Sequence, residues 1–188
     1  MVKAAITGVG GYVPETILSN KDLEQKVDTT DEWILSRTGI KERRILKEPY
    51  QGCSTLAVRA AQDLIEKKGI DPKSIDLVLI ATITPDYQVA ATAAYVASSI
   101  GATNAFAFDL SAACSGFLYG MSVATGYIQS GRYNRVLFIG ADKMSSIVNY
   151  KDRTTCIIFG DGAGAVLIEP STNQYGWEDE YFRSNGAA

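Results

Sequence analysis

Apolar positions along this chain follow two rhythms: short, nearly continuous β-rich runs, and longer stretches where they recur every three or four residues. The opening VKAAITGVG reads as a strand. Between Ser19 and Arg37 the chain turns polar. Asn20 and Thr30 can each cap a short helix with carboxylates in its first turn, and Gly39 would end the second. From Ser54 to Lys68, Leu56, Ala60 and Leu64 repeat every four residues beside Ala57, Ala61 and Ile65. That stripe predicts an amphipathic helix stopped by Gly69.

After the turn IDPKSI, the run DLVLIAT is apolar throughout, as in a central strand covered on both faces. Alanine-rich AATAAYVASSI predicts a helix ending at Gly101, and AFAFDL, Ala105 to Leu110, a second internal strand. The stretch CSGFLYGMSVATGYIQSG is apolar nearly all round, with Gly116 and Gly120 one turn apart, and predicts a central buried helix ending at Gly131. RVLFIGAD and TTCIIFGDGAGAVLIEP complete a set of five strands, the last interrupted by glycines. Strands alternating with helices make an α/β layer structure around a mixed five-stranded sheet. The tail STNQYGWEDEYFRSNGAA is polar and predicts no element.

Composition narrows the function. With 188 residues, 46% of them hydrophobic, the chain can bury a core of its own. Eighteen basic and 21 acidic residues are interspersed, so there is no basic stripe to meet a phosphate backbone, and nucleic acid is not an expected partner. No apolar run nears the roughly 20 residues that span a bilayer, and MVKAAITGVGGYVPE lacks the pattern of a secretory signal. The expectation is a cytoplasmic protein without membrane contact. Three widely spaced cysteines, Cys53, Cys114 and Cys156, fit neither a disulfide framework nor a zinc site, so no metal is expected. The chain contains no histidine, which excludes a Ser-His-Asp or Cys-His pair built from these residues alone.

Cys114 follows a predicted buried strand at the first turn of a predicted buried helix, where open α/β sheets place their ligands. Helix N–H groups and dipole there would favour a thiolate and could hold a thioester oxyanion. A small thiol filling core space is the other reading of the same position. Cys53, at a helix edge, and Cys156, inside a strand, are read as packing residues. The glycine-rich segments Gly8 to Gly11 and Gly160 to Gly164 lack the strand-before, helix-after context of a dinucleotide site, and are read as bulges or tight turns.

Three segments in order, VDTTDEWILSRTGIKERR, AFDLSAACSGFLYGMSVATGYIQSG and DRTTCIIFGDGAGAVLIE, make the chain resemble the β-ketoacyl-acyl carrier protein synthase III family from ITGVGGYVPE to about Glu169. The resemblance implies a thiolase-like layered fold in which residues 1–170 are the N-terminal domain and 171–188 lead toward an absent C-terminal half. It implies that Cys114 takes an acyl group from acyl-coenzyme A and passes it to a malonyl group on acyl carrier protein as carbon dioxide leaves. No cofactor is implied, acyl-coenzyme A being a substrate.

The same resemblance puts Trp33 and Arg153 on the two faces of the coenzyme A adenine, with Arg37 near the phosphates and Thr29 as a further contact. It implies a homodimer. Val89 stands where some members carry a bulky aromatic that reaches across the dimer and shortens the partner's acyl pocket, so a smaller side chain implies room for longer or branched acyl groups. In this family the histidine and asparagine that drive decarboxylation lie in the C-terminal half. Two other readings stay open: a non-catalytic thiolase-like scaffold, and a polyketide starter synthase of the same fold.

Overall fold

The computed structural model describes residues 2–49 and 51–187; Met1 and Ala188, the outer ends of the two predicted units, and Tyr50 lie outside the described residues. The chain opens with β1 (Ala4–Tyr12), β2 (Ile17–Ser19), α1 (Asn20–Glu24), α2 (Asp31–Thr38) and β3 (Glu42–Arg44). It continues with α3 (Cys53–Lys68), β4 (Leu77–Ala81), α4 (Thr92–Ser99) and β5 (Phe106–Leu110). Last come α5 (Gly116–Gln129), β6 (Val136–Lys143) and β7 (Asp161–Pro170). The five long strands form one mixed sheet in the order β1-β7-β6-β4-β5, and β2 pairs with β3 in a separate ribbon. Strand β4 runs parallel to both its neighbours, while β7 is antiparallel to β6 and β1.

Because side chains alternate across a strand, β4 sends Val78 and Ile80 to one face and Leu77, Leu79 and Ala81 to the other. The first face meets α3 and α4, where Ala57, Ala60, Ala61 and Leu64 are fully buried. Gly10 lets α3 lie on β1: a Cβ there would stand 2.6 Å from the Ala60 carbonyl oxygen and the Leu64 nitrogen. The second face meets α5, where Gly120 accommodates the ring of Phe138.

Helix ends show how local chemistry sets boundaries. Thr30 caps α2 through the Trp33 N–H at 3.1 Å, and Gly39 closes it at φ 72°. Gly69 closes α3 in the same left-handed conformation, φ 64°. Helices α3 and α4 borrow caps from distant residues: Asp86 accepts from the Ser54 N–H, and Asp109 of β5 accepts from those of Thr92 and Ala93.

Several expectations need correction. Ser19, not Asn20, caps α1, in a capping box with Asp22, and Asn20 is buried. Strand β5 is an edge strand, with Phe106 38% exposed; its apolar face packs on α5 and the aromatic rings of Tyr127 and Tyr133, but its outer edge has no partner among the described residues. The last strand starts at Asp161; residues 154–158 form turns stitched by bonds such as Cys156 N–H to the Asp152 carbonyl. Asp152 binding Thr154 and Thr155 favours this local fold over a ladder. Helix α5 buries Gly120, Met121, Ala124 and Ile128 but leaves Phe117 and Leu118 exposed, so its apolar surface is covered on one side only. The polar tail lies along this helix, with Trp177 packed on the core and Phe182 against Tyr119.

Candidate active site

Strand register builds a cleft by steadily removing side-chain volume. On the α5 face, one row across the sheet is Val9, Val166, Phe138, Leu79 and Phe108; the next row is Gly11, Gly164, Gly140, Ala81 and Leu110. Bulk therefore disappears at the carboxyl ends of β4 and β6, the end at which parallel strands present ligands. The space left is an open cleft of about 360 Å³ lined by Ala81, Gly140, Gly162, Gly164, Phe117 and Asp142, with Cys114 on its wall.

Cys114 comes four residues after β5 and is exposed, unlike the other two cysteines. It sits in a single 3-10 turn, Ala113–Ser115, that precedes α5 rather than in the helix's own first turn. Ala113, at φ 45°, is the only non-glycine with positive φ among the described residues. Strain of this kind concentrates at functional positions, and here it falls on the residue before the thiol. Among the described residues no side chain caps the start of α5; the Ser115 and Gly116 N–H groups bond instead to the Ala112 and Ala113 carbonyls within the 3-10 turn. An accessible thiol facing open space is what attack on a thioester carbonyl requires.

The other cysteines pack. Cys53 donates to the Ala141 carbonyl at 3.1 Å, and burial pushes its thiol up to about 12. Cys156 is wholly buried under Trp33, and burial, with Asp152 nearby, raises its thiol too. It lies in the turns before β7, not in a strand as expected. Two glycines of the glycine-rich segments allow close approach. Gly10 and Gly160 each face backbone atoms that a side chain would strike, although the register of β1 does slip between Ile6 and Gly8, as a bulge would.

A second cluster assembles from distant segments. The Arg37 guanidinium lies over the Trp33 ring at 4.8 Å from one turn along α2, and Arg153 lies over it at 5.5 Å from the turns before β7. Arg153 is tied to Asp28 by its backbone carbonyl at 2.9 Å and its carboxylate at 3.5 Å. The neighbouring Thr29 hydroxyl is buried without a partner among the described residues. Trp33, Arg37, Arg153 and the segment holding Thr29 are thus brought together. Val89 stands apart, fully exposed on the loop between β4 and α4, and lines neither the cleft nor the cluster. The strand of chain from Ile157 to Gly160 joins the two places, packing under Trp33 at one end and lining the cleft at the other.

Sequence reasoning missed Arg43 and Asn20, which are 3% and 1% exposed and bonded to each other beneath the cluster. Arg43 sits in the charged triplet Glu42–Arg44, which reads as surface. Its burial follows from the alternation of a strand only three residues long, too short to see as a period. Asp142 was missed as well; it lines the cleft while accepting from Thr82, Thr84 and the Ile83 N–H.

Comparison with known proteins agrees with this geometry. The family model for 3-oxoacyl-[acyl-carrier-protein (ACP)] synthase III matches residues 108–186. The chain is 54% identical over 185 residues to beta-ketoacyl-[acyl-carrier-protein] synthase III 2 of Bacteroides thetaiotaomicron, covering 98% of this chain and 55% of that protein. Among solved structures it resembles 3-oxoacyl-[acyl-carrier-protein] synthase III of Aquifex aeolicus, with a TM-score of 0.87, 45% identity, and coverage of 93% of this chain and 55% of that one. A priming β-ketosynthase of a polyketide biosynthetic pathway superposes with a TM-score of 0.86 at 39% identity, over 90% of this chain and 50% of the other. The chain spans about half the length of the curated relatives it matches. With a thiolase-like α/β fold and near-complete coverage at this identity, the chain belongs to the β-ketoacyl-acyl carrier protein synthase III family, as the N-terminal half of that fold.

Proposed function

We propose that this chain is the acyl-accepting half of an enzyme that starts type II fatty-acid chains. The Cys114 sulfur attacks the carbonyl of an acyl-coenzyme A, the C–S bond to coenzyme A breaks, and the coenzyme A thiol leaves with the proton that Cys114 gave up. Malonyl-acyl carrier protein then loses carbon dioxide, its carbanion attacks the Cys114 thioester, the bond from the Cys114 sulfur to the acyl carbon breaks, the β-ketoacyl chain leaves on the carrier protein, and the thiolate takes a proton from solvent. That second step needs histidine and asparagine from the family's other half, so condensation is not an activity of these 188 residues alone. No cofactor takes part; acyl-coenzyme A is the substrate and the carrier protein the acceptor.

The observation that carries the reading is the exposed Cys114 thiol over the glycine row, beside an uncapped helix start. Trp33 with its two guanidinia offers a purine a stacking surface flanked by cations, and the buried, unpartnered Thr29 hydroxyl offers it a hydrogen bond. A scaffold has no use for these features, which favours the enzyme. The polyketide-priming reading, favoured by the 39% identity above, differs in donor and acceptor and shares the same Cys114 chemistry.

We assign a homodimer through the unpaired edge of β5, with Val89 reaching the partner's acyl site, and a cytoplasmic setting in keeping with three unpaired thiols. No helix among the described residues is long and apolar enough to cross a membrane. Residues 1–170 form the domain proper, and 171–188 lead to the second half.

Intact mass after incubation with acetyl-coenzyme A tests the first step. An acetyl adduct on the wild type, absent from Cys114→Ala, is expected; an adduct that survives the substitution overturns the assignment. In a protein completed by its second half, Val89→Phe should shift preference from isobutyryl toward acetyl primers, and an unchanged ratio removes Val89 from the acyl pocket.

A further inference from the structure

Arg43 and Asn20 connect the two segments that make up the Trp33 cluster. Both are buried to within a few per cent. The Arg43 Nε and Nη2 donate to the Ile157 carbonyl, the former at 3.1 Å, and Nη1 donates to Asn20 Oδ1. Asn20 Nδ2 donates in turn to Asp31 Oδ1 at 2.7 Å and to the Ile40 carbonyl at 2.8 Å. Asp31 opens α2, two residues before Trp33; Ile157 lies four residues after Arg153. A single chain of hydrogen bonds therefore runs from the helix holding Trp33 and Arg37 to the turns holding Arg153.

A buried guanidinium is costly, and no carboxylate touches this one among the described residues. Apolar side chains could have joined these segments at lower cost, as Leu23, Ile34 and Ile157 do beside it. A planar donor fork sets direction and spacing in a way that apolar contacts do not. Here the spacing in question is that between Trp33 and Arg153, the gap into which a flat base would slide. We infer that Arg43 and Asn20 are positioning residues for coenzyme A, holding α2 and the turns before β7 at the separation that its adenine needs. The inference rests on the reading of Trp33 and its two arginines as the nucleotide site.

The test is calorimetric titration of the 188-residue chain with coenzyme A. Asn20→Asp keeps an acceptor for Arg43 but sets a carboxylate against Asp31 and the Ile40 carbonyl, cutting the links to α2 and to the residue just beyond it. Its affinity should fall about tenfold, the scale of one hydrogen bond to a charged group. Adding Asp31→Asn returns a donor to the contact with residue 31, and the double variant should regain part of the loss. Arg43→Lys, which keeps the charge but not the fork, should fall similarly. Ile75→Val, in a separate core cluster, should lose stability with affinity unchanged.

Trp33→Ala separates the two possible failures. If it weakens binding while Asn20→Asp and Arg43→Lys stay within about twofold of wild type, or if the double variant regains nothing, the positioning role is overturned. If coenzyme A binds with the same affinity with or without Trp33, or does not bind at all, the nucleotide-site reading fails and the positioning role falls with it. Should Asn20→Asp fail to fold by circular dichroism, Arg43→Lys and the double variant decide the matter.

Discussion

Cys53, Cys114 and Cys156 carry the same thiol in three environments, and their environments assign their work. Cys53, sealed by α3 and bonded to the Ala141 carbonyl, keeps its proton up to about pH 12, against 9.0 for a thiol in water. Across that window the unfolded chain releases a proton that the folded chain retains, so stability present below pH 9.0 drains away as pH rises toward 12. The limiting slope is about 1.4 kcal/mol per pH unit. Urea unfolding at several alkaline pH values, wild type against Cys53→Ala, should show a flatter decline in the variant; parallel curves would mean that the thiol ionises inside the fold. Cys114 stood out as the candidate because a strand, a cysteine and a glycine-spaced helix follow in sequence, and the family resemblance chose it over a packing role. The Trp33 cluster was legible only through family resemblance, since stacking partners 120 residues apart leave no local pattern. Arg43 was not legible at all, because nothing in a charged triplet records which member the fold will bury.

Among the elements, those with many residues per period were readable and the short ones were not. Helix α3 repeats its apolar stripe over four turns and β4 is apolar from end to end, so both were found close to their true bounds. Strands β2 and β3 have three residues each and pair only through tertiary placement, which no window along the chain reveals. The turns at 154–158 were taken for strand because Cys156, Ile157 and Ile158 have strand character, while the side-chain bonds of Asp152 select turns. The contact of α3 with β1 gives the sharpest test at this scale. Gly10→Ala places a methyl group against backbone atoms of Ala60 and Leu64 that cannot rotate away. It should cost about 1–3 kcal/mol, read as a lower urea midpoint with the slope unchanged. A midpoint equal to wild type would show that α3 is free to lift from the sheet.

At the scale of the whole molecule, the chain exposes 10838 Å², whereas a compact monomer of its 20.3 kDa mass would expose about 8800 Å². The excess, about 2000 Å², is more than twice the roughly 800 Å² that one partner contributes to a standard protein–protein interface. Part of it is the extended tail; part is apolar, on the α5 face, where Ile6, Val9, Phe117 and Leu118 stay exposed beside a core they could have joined. Sequence periodicity anticipated that α5 is apolar all round, but periodicity cannot say which faces a single chain covers. Isolated, the chain should self-associate through this surface. Sedimentation should show its apparent mass rising with concentration beyond a dimer, and Val9→Lys with Leu118→Lys should bring it down to the dimer paired through β5. Association beyond the dimer that is unchanged in the double variant would place that contact elsewhere.

The glycine row beneath Cys114 has one more consequence. A methyl group added at Gly164 would meet no atom within 4 Å, whereas one added at Gly10 would meet backbone at 2.6 Å. Along this sheet, then, some glycines are demanded by the architecture and others merely leave a place empty. Gly164, in the floor of the cleft, is of the second kind, so the space beside Cys114 could shrink by a methyl group there during evolution without the fold registering the change.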